Sequence, residues 1–127
     1  MLAGLVWITS TGFVQAANRS DKVVEKAREA VESASPDDWQ ALAKAAKMCI
    51  DKNVNLKEAS DWIDKSVSIK ETAYNTKVMG DYYALSNLPE KAVEFYSKSI
   101  RLGKLDDPAY QDEVTQHKIL KMVKLIG

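Results

Sequence analysis

The chain predicts an all-α fold of antiparallel helical hairpins, and three observations predict it. From Ser20 onward apolar residues recur at intervals of three and four, with no sustained alternation of period two. Turn-forming clusters around Pro36, Asn53, Pro89 and Pro108 cut that pattern into segments of helical length. The segment 58–69 also echoes itself in 91–102, an offset of 33 residues, which is the mark of a repeated supersecondary unit.

Composition narrows the field. A chain of 127 residues supports one domain with a modest core. Lys plus Arg number 18 and Asp plus Glu number 18, so no surplus of basic charge exists for a nucleic-acid backbone. One Cys and one His exclude an intramolecular disulfide framework and a multi-cysteine zinc site.

Residues 1–17 stand apart. No ionisable side chain occurs before Arg19, and the apolar run closes on Val14-Gln15-Ala16-Ala17, whose small residues suit cleavage after Ala16 or Ala17. The run is shorter than the roughly 20 residues that span a bilayer as a helix. It is read as an export signal, which makes the protein periplasmic or secreted. No Lys or Arg precedes it, so an uncleaved membrane anchor and a buried helix are the alternatives, and membrane association follows only without cleavage. Asn18-Arg19-Ser20 matches a glycosylation triplet, relevant only in a eukaryotic secretory pathway.

The remaining chain, 20–127, reads as one domain of six helices. Ser20 is placed to cap the first, whose apolar face is Val23, Val24, Ala27, Ala30, Val31 and Ala34. Ser35-Pro36 stops it, because the residue before proline avoids the helical region. Asp37 or Asp38 caps the second, carrying Trp39, Leu42, Ala43, Ala46, Cys49 and Ile50. Asn53-Val54-Asn55 turns the chain into a third helix with Leu56, Ala59, Trp62, Ile63, Val67 and Ile69. A fourth starts near Glu71 and ends at Ser86-Asn87-Leu88-Pro89, where Pro89 suits the first turn of a fifth. Gly103 is expected to close the fifth. Asp106-Asp107-Pro108 is expected to open a capping helix over 107–126, with Lys118, Lys121 and Lys124 near its C-terminal end. Turns this short force neighbouring helices to run antiparallel.

In the echo, Ala59, Lys65 and Ser66 return as Ala92, Lys98 and Ser99, and Leu42, Ala46 and Cys49 align with Thr76, Gly80 and Tyr83 at an offset of 34. On these residues the chain resembles the tetratricopeptide repeat, a helix–turn–helix unit of 34 residues with a small residue then an aromatic on its first helix and Ala-x-x-x-aromatic on its second. Gly80, Tyr83, Ala92 and Tyr96 carry the match in the later unit, and Ala46, Ala59 and Ile63 in the earlier one. Thr76, Ser66 and Ser99 depart from the pattern, as does the missing closing proline. The resemblance implies repeats over about 39–71 and 73–104 with flanking capping helices. A plain four-helix bundle shares the apolar pattern without the echo. The arrangement is also loosely similar to the helical tail of some secreted bacterial proteins of unknown function.

Little here points to catalysis. His117 lacks a Glu-x-x-His or His-x-x-x-His partner, Cys49 lies between apolar neighbours on an inward face, and the Asp37-Asp38 and Asp106-Asp107 pairs read as helix caps. Asp61 and Asp64 read as a solvated face beside Lys57 and Lys65. No glycine-rich phosphate loop or nucleophile elbow occurs. The expectation is a non-catalytic module without metal or cofactor that binds a protein or peptide in a concave groove. In the repeat register that groove presents Gln40, Ala43, Lys47, Ile50 and Asp51, then Tyr74, Lys77, Asp81, Ala84 and Leu85. Lys77 falls where the carboxylate-clamping members of the family place a lysine, but Asp81 stands where they have asparagine. The alternative is a structural subunit that self-associates as a homo-oligomer through the last helix, where Ile119, Leu120, Met122, Val123, Leu125 and Ile126 form a dense apolar end.

Overall fold

Why these segments become helices is settled at their ends. The computed structural model describes residues 11–127, and among them are six α-helices and no strand: α1 (Thr11–Ser33), α2 (Trp39–Asp51), α3 (Leu56–Ile69), α4 (Ala73–Leu85), α5 (Pro89–Asp106) and α6 (Glu113–Ile126). The export segment expected over 1–17 falls largely outside the described residues. No described helix is long and apolar enough to cross a membrane.

Three helices begin on the same device. The side chains of Asp38, Thr72 and Asp112 accept the backbone N–H of Ala41, Asn75 and Thr115, satisfying a donor that the first turn leaves open. At α4 the exchange is reciprocal, since Asn75 Oδ1 accepts the Thr72 N–H at 2.8 Å. Pro89 opens α5 as expected.

The fourth helix begins, as expected, beside Glu71, with Thr72 as its cap. Three boundaries differ from expectation. Ser20 lies inside α1 rather than at its start. Gly103 does not end α5, which continues to Asp106; it is buried, and its missing side chain makes room for the Tyr110 ring. The sixth helix starts at Glu113, not at 107. Asp107 and Pro108 instead form a turn in which Asp107 Oδ1 accepts the Ala109 N–H at 3.0 Å and Asp107 O accepts the Tyr110 N–H at 2.8 Å. Asp-Pro supports a type of turn and a helix start equally well, and here the turn wins.

Packing follows chain order. Helix α1 lies on α2, α2 on α3 and α4, α3 on α4, α4 on α5, and α5 on α6. Near the end of α3, Ser66 Oγ donates to the carbonyl of Trp39 at the start of α2 (2.7 Å), so these two helices run in opposite directions. Ser99 of α5 donates to the carbonyl of Ala73 at the start of α4 in the same way (2.6 Å). Both serines are fully buried. The turns between the paired helices repeat as well. Asn53 and Asn87 adopt left-handed backbone (φ 53° and 57°), and the N–H groups of Val54 and Leu88 reach back to the carbonyls of Cys49 and Tyr83 at 3.0 Å. These are Schellman closures. The internal echo in sequence is thus an echo in hydrogen bonding.

The core is built largely from small side chains. Ala27, Ala43, Ala45, Ala46, Cys49, Ala59 and Ile63 are buried with Ile50, Val78 and Met79, and Val31, Trp62, Tyr74, Tyr83 and Phe95 pack around them. Two units meet at Asn75, fully buried, whose Nδ2 donates to Ser66 Oγ (3.1 Å) and to the Lys70 carbonyl (2.6 Å). At Gly80 the helices of the second hairpin approach closely: a Cβ there would stand 2.5 Å from Tyr96 Cδ1, and Tyr96 is itself buried.

Gly80→Ala is therefore expected to lower stability by about 1–2 kcal/mol net, the overlap outweighing the gain in helix propensity, read as a lower urea midpoint with unchanged slope. Asn87→Gly is expected to leave the midpoint unchanged or raise it, while Asn87→Val lowers it by about 1–2 kcal/mol, since only the β-branched residue resists left-handed backbone.

Candidate functional site

Helices α2 and α4 lie side by side and present equivalent faces, 34 residues apart. The structure brings Ile50 and Asp51 of α2 together with Asp81, Ala84 and Leu85 of α4 around an open cavity of about 320 Å³. Its other lining residues are Tyr96 of α5 and Lys118 of α6. Ile50, Ala84 and Leu85 give it apolar surface, and Asp51, Asp81 and Lys118 give it charge.

The charges are already paired. Lys47 donates to Asp51 at 2.7 Å within α2. Burial works against the Lys47 cation, but the hydrogen bond and charge of Asp51, assisted by Asp81, raise its pKa above the ordinary lysine value. Asp81 Oδ1 accepts both the Tyr96 hydroxyl (2.6 Å) and Lys118 Nζ (2.8 Å), so one carboxylate ties α4 to α5 and α6. Burial, then the bond to Asp81, pushes the Tyr96 phenol well above its ordinary range and keeps it a donor. Tyr74 sits half-buried beside this face, its phenol also raised by burial. Ala43 is buried rather than displayed, and Gln40 is exposed on the first turn of α2.

Lys77 has a different task from the one expected. It is ion-paired with Asp112, which is only 11% exposed. Asp112 also accepts the Thr115 N–H (2.9 Å), the Thr115 hydroxyl (2.7 Å) and the Tyr110 hydroxyl (3.2 Å). It caps α6 and anchors it to α4 at once. A lysine engaged in this way is not placed to clamp a partner's carboxylate. Among the expected groove residues, then, Asp51, Asp81 and Leu85 line the cavity, Lys47 is bonded to Asp51, and Gln40, Tyr74 and Lys77 do not line it.

Tyr96 and Lys118 line the cavity without being legible in the sequence as members of it. Tyr96 reads as core until its hydroxyl is placed, and Lys118 reads as a charge near the C-terminal end of its helix. The other residues with chemical potential lie apart from the cavity. His117 is exposed on α6. Cys49 is buried against α1 and α3, and burial pushes its thiol up. Asp61 is bonded to Lys57 on the solvated side of α3, and Asp38 caps α2. A larger cavity, about 680 Å³, runs along α1 and is lined by Asp21, Val24, Glu25, Arg28, Glu29, Glu32 and Asn55. Its cation, Arg28, is paired with Glu58 of α3.

Compared with models of protein families, with curated proteins and with solved structures, the chain matches none.

Acid should release α6. Burial raises the Asp112 pKa, but the bonds from Lys77 and from the Thr115 N–H and hydroxyl outweigh it and hold the carboxyl well below its usual range. Unfolded, the same group titrates near pH ~4. Its contribution is complete above that pH and is lost progressively as pH falls below it. Urea midpoints between about pH 5 and 2 are expected to fall more steeply for the wild type than for Asp112→Asn, which is already weakened at neutral pH.

Proposed function

We propose that the chain is a non-catalytic interaction module of tetratricopeptide-repeat type, binding an extended peptide or a helix of another protein across α2 and α4. The order in which the helices meet supports this reading, as do the matching serine bonds and Schellman turns of the two hairpins. The observation that carries it is the cavity between the equivalent faces of α2 and α4. It is preformed, carries apolar surface from Ile50, Ala84 and Leu85, and is rigidly walled, because Asp81, Tyr96 and Lys118 hold one another in place. A preformed groove loses little conformational entropy on binding, so modest contacts suffice for affinity.

The charged groups set the chemistry of the partner. Lys77 is committed to Asp112, and Lys47 and Lys118 each face an acidic neighbour. A terminal carboxylate finds no unpaired cation here. The acceptors that remain are the exposed side of Asp51 and the second oxygen of Asp81, beside the apolar surface of Ala84 and Leu85. The partner segment is therefore one with an apolar side chain for that surface and a Lys or Arg beside it for the carboxylates.

Capture from a lysate by wild-type protein, compared with Leu85→Ser combined with Asp51→Lys, tests this. Both residues line the cavity and both are exposed, so circular dichroism should be unchanged. Partners bound by the wild type are expected to be lost from the variant at least about tenfold, and identical partner lists would remove the groove assignment.

A further inference from the structure

Helix α6 is started by the same cap as α2 and α4, and this puts the three in a common register. Counting from the caps Asp38, Thr72 and Asp112, the fourth, eighth and eleventh residues are Leu42, Ala46 and Cys49 on α2, Thr76, Gly80 and Tyr83 on α4, and Gln116, Leu120 and Val123 on α6. On α2, against which α3 packs, all three are buried. On α4, against which α5 packs, Thr76 and Gly80 are buried and Tyr83 is half-covered, stacked on Phe95 of α5 with ring centroids 5.3 Å apart. On α6 the same flank is open: Gln116 is exposed, Leu120 is 60% exposed and Val123 is 49% exposed. Ile119 and Ile126 flank them, the latter 44% exposed. The helix thus carries a largely apolar seam at helix-packing spacing, with no helix upon it among the described residues.

The eighth position also says what kind of helix fits. It is alanine on α2 and glycine on α4, where helices cross closely, but leucine on α6. Another hairpin helix of the close-crossing design is excluded by that bulk, and a helix at ordinary interaxial distance, its own large side chains interleaved, is not.

We propose that this seam is covered by α6 of a second copy of the chain, running antiparallel about a two-fold axis that passes between Lys118 and Ile119. The rim residues are self-complementary for that arrangement. Glu113 stands at one end of α6 and Lys124 at the other, both exposed and neither ion-paired among the described residues. An antiparallel pair brings Glu113 of each copy alongside Lys124 of the other and opposes the two helix dipoles, whereas a parallel pair sets like charges together. The isologous contact leaves the α2–α4 groove uncovered, so it is independent of the peptide-binding reading. Fourteen residues of helix make a seam only about 21 Å long. A single helix of that length is a short seam beside the ~800 Å² per partner of a standard stable interface, so the dimer is a reversible one.

Sedimentation equilibrium of the full chain from about 10 µM to 1 mM is the test, a range suited to an interface of this size. A monomer–dimer equilibrium is expected, and Leu120→Glu, at an exposed position with helicity unchanged by circular dichroism, is expected to raise the dissociation constant at least about tenfold. Glu113→Lys should weaken the dimer and Glu113→Lys with Lys124→Glu should restore it. A monomer across the whole range, a dimer indifferent to Leu120→Glu, or a double exchange that fails to restore association would each overturn the proposal.

Discussion

Everything in this molecule rests on a shortage of side-chain volume where helices cross. Gly80 admits the Tyr96 ring, Ala46, Ala59 and Ala92 are wholly buried, and Gly103 admits Tyr110. Close approach carries a polar consequence. When backbones come this near, their buried carbonyls must be bonded, and the chain places serine where more bulk would otherwise go: Ser66 bonds the Trp39 carbonyl and Ser99 that of Ala73. As departures from a repeat pattern these serines look like blemishes. In three dimensions they are the same solution used twice.

Tight crossing also decides where function can sit. Small residues consume the inner faces of the hairpins, which leaves the outer faces of α2 and α4 as adjacent walls with a cavity between them. The charged groups there are mutually neutralised by partners on three helices. In the groove proposed here, recognition would rest on shape and apolar surface first, and on charge only through the valences that its own ion pairs leave over. Lys77 shows how the balance is drawn: it looks like a ligand clamp on α4, yet the structure uses it to dock α6 through Asp112.

Much of the fold was legible because it depends on neighbours in sequence. Pro89, Asp38 and the asparagine turns at 53 and 87 act within a few residues of themselves, and the helical period of the apolar residues needs no tertiary partner. The errors share a cause. Asp107-Pro108 offers the same local chemistry to a turn and to a helix start, and Gly103 offers the same absence of a side chain to a helix end and to a packing contact. In each case Tyr110, folding back over Gly103, selects between them.

What the sequence by itself determined is the all-helical class, the number of helices and most of their limits, because caps, turns and periodicity are short-range. Only the tertiary structure decided where α6 begins, which groove residues are free and which are spent. Those outcomes hang on ion pairs between residues far apart along the chain, Lys77 with Asp112 and Asp81 with Lys118. A charged side chain's role is set by what stands opposite it, and that is fixed only when the helices pack.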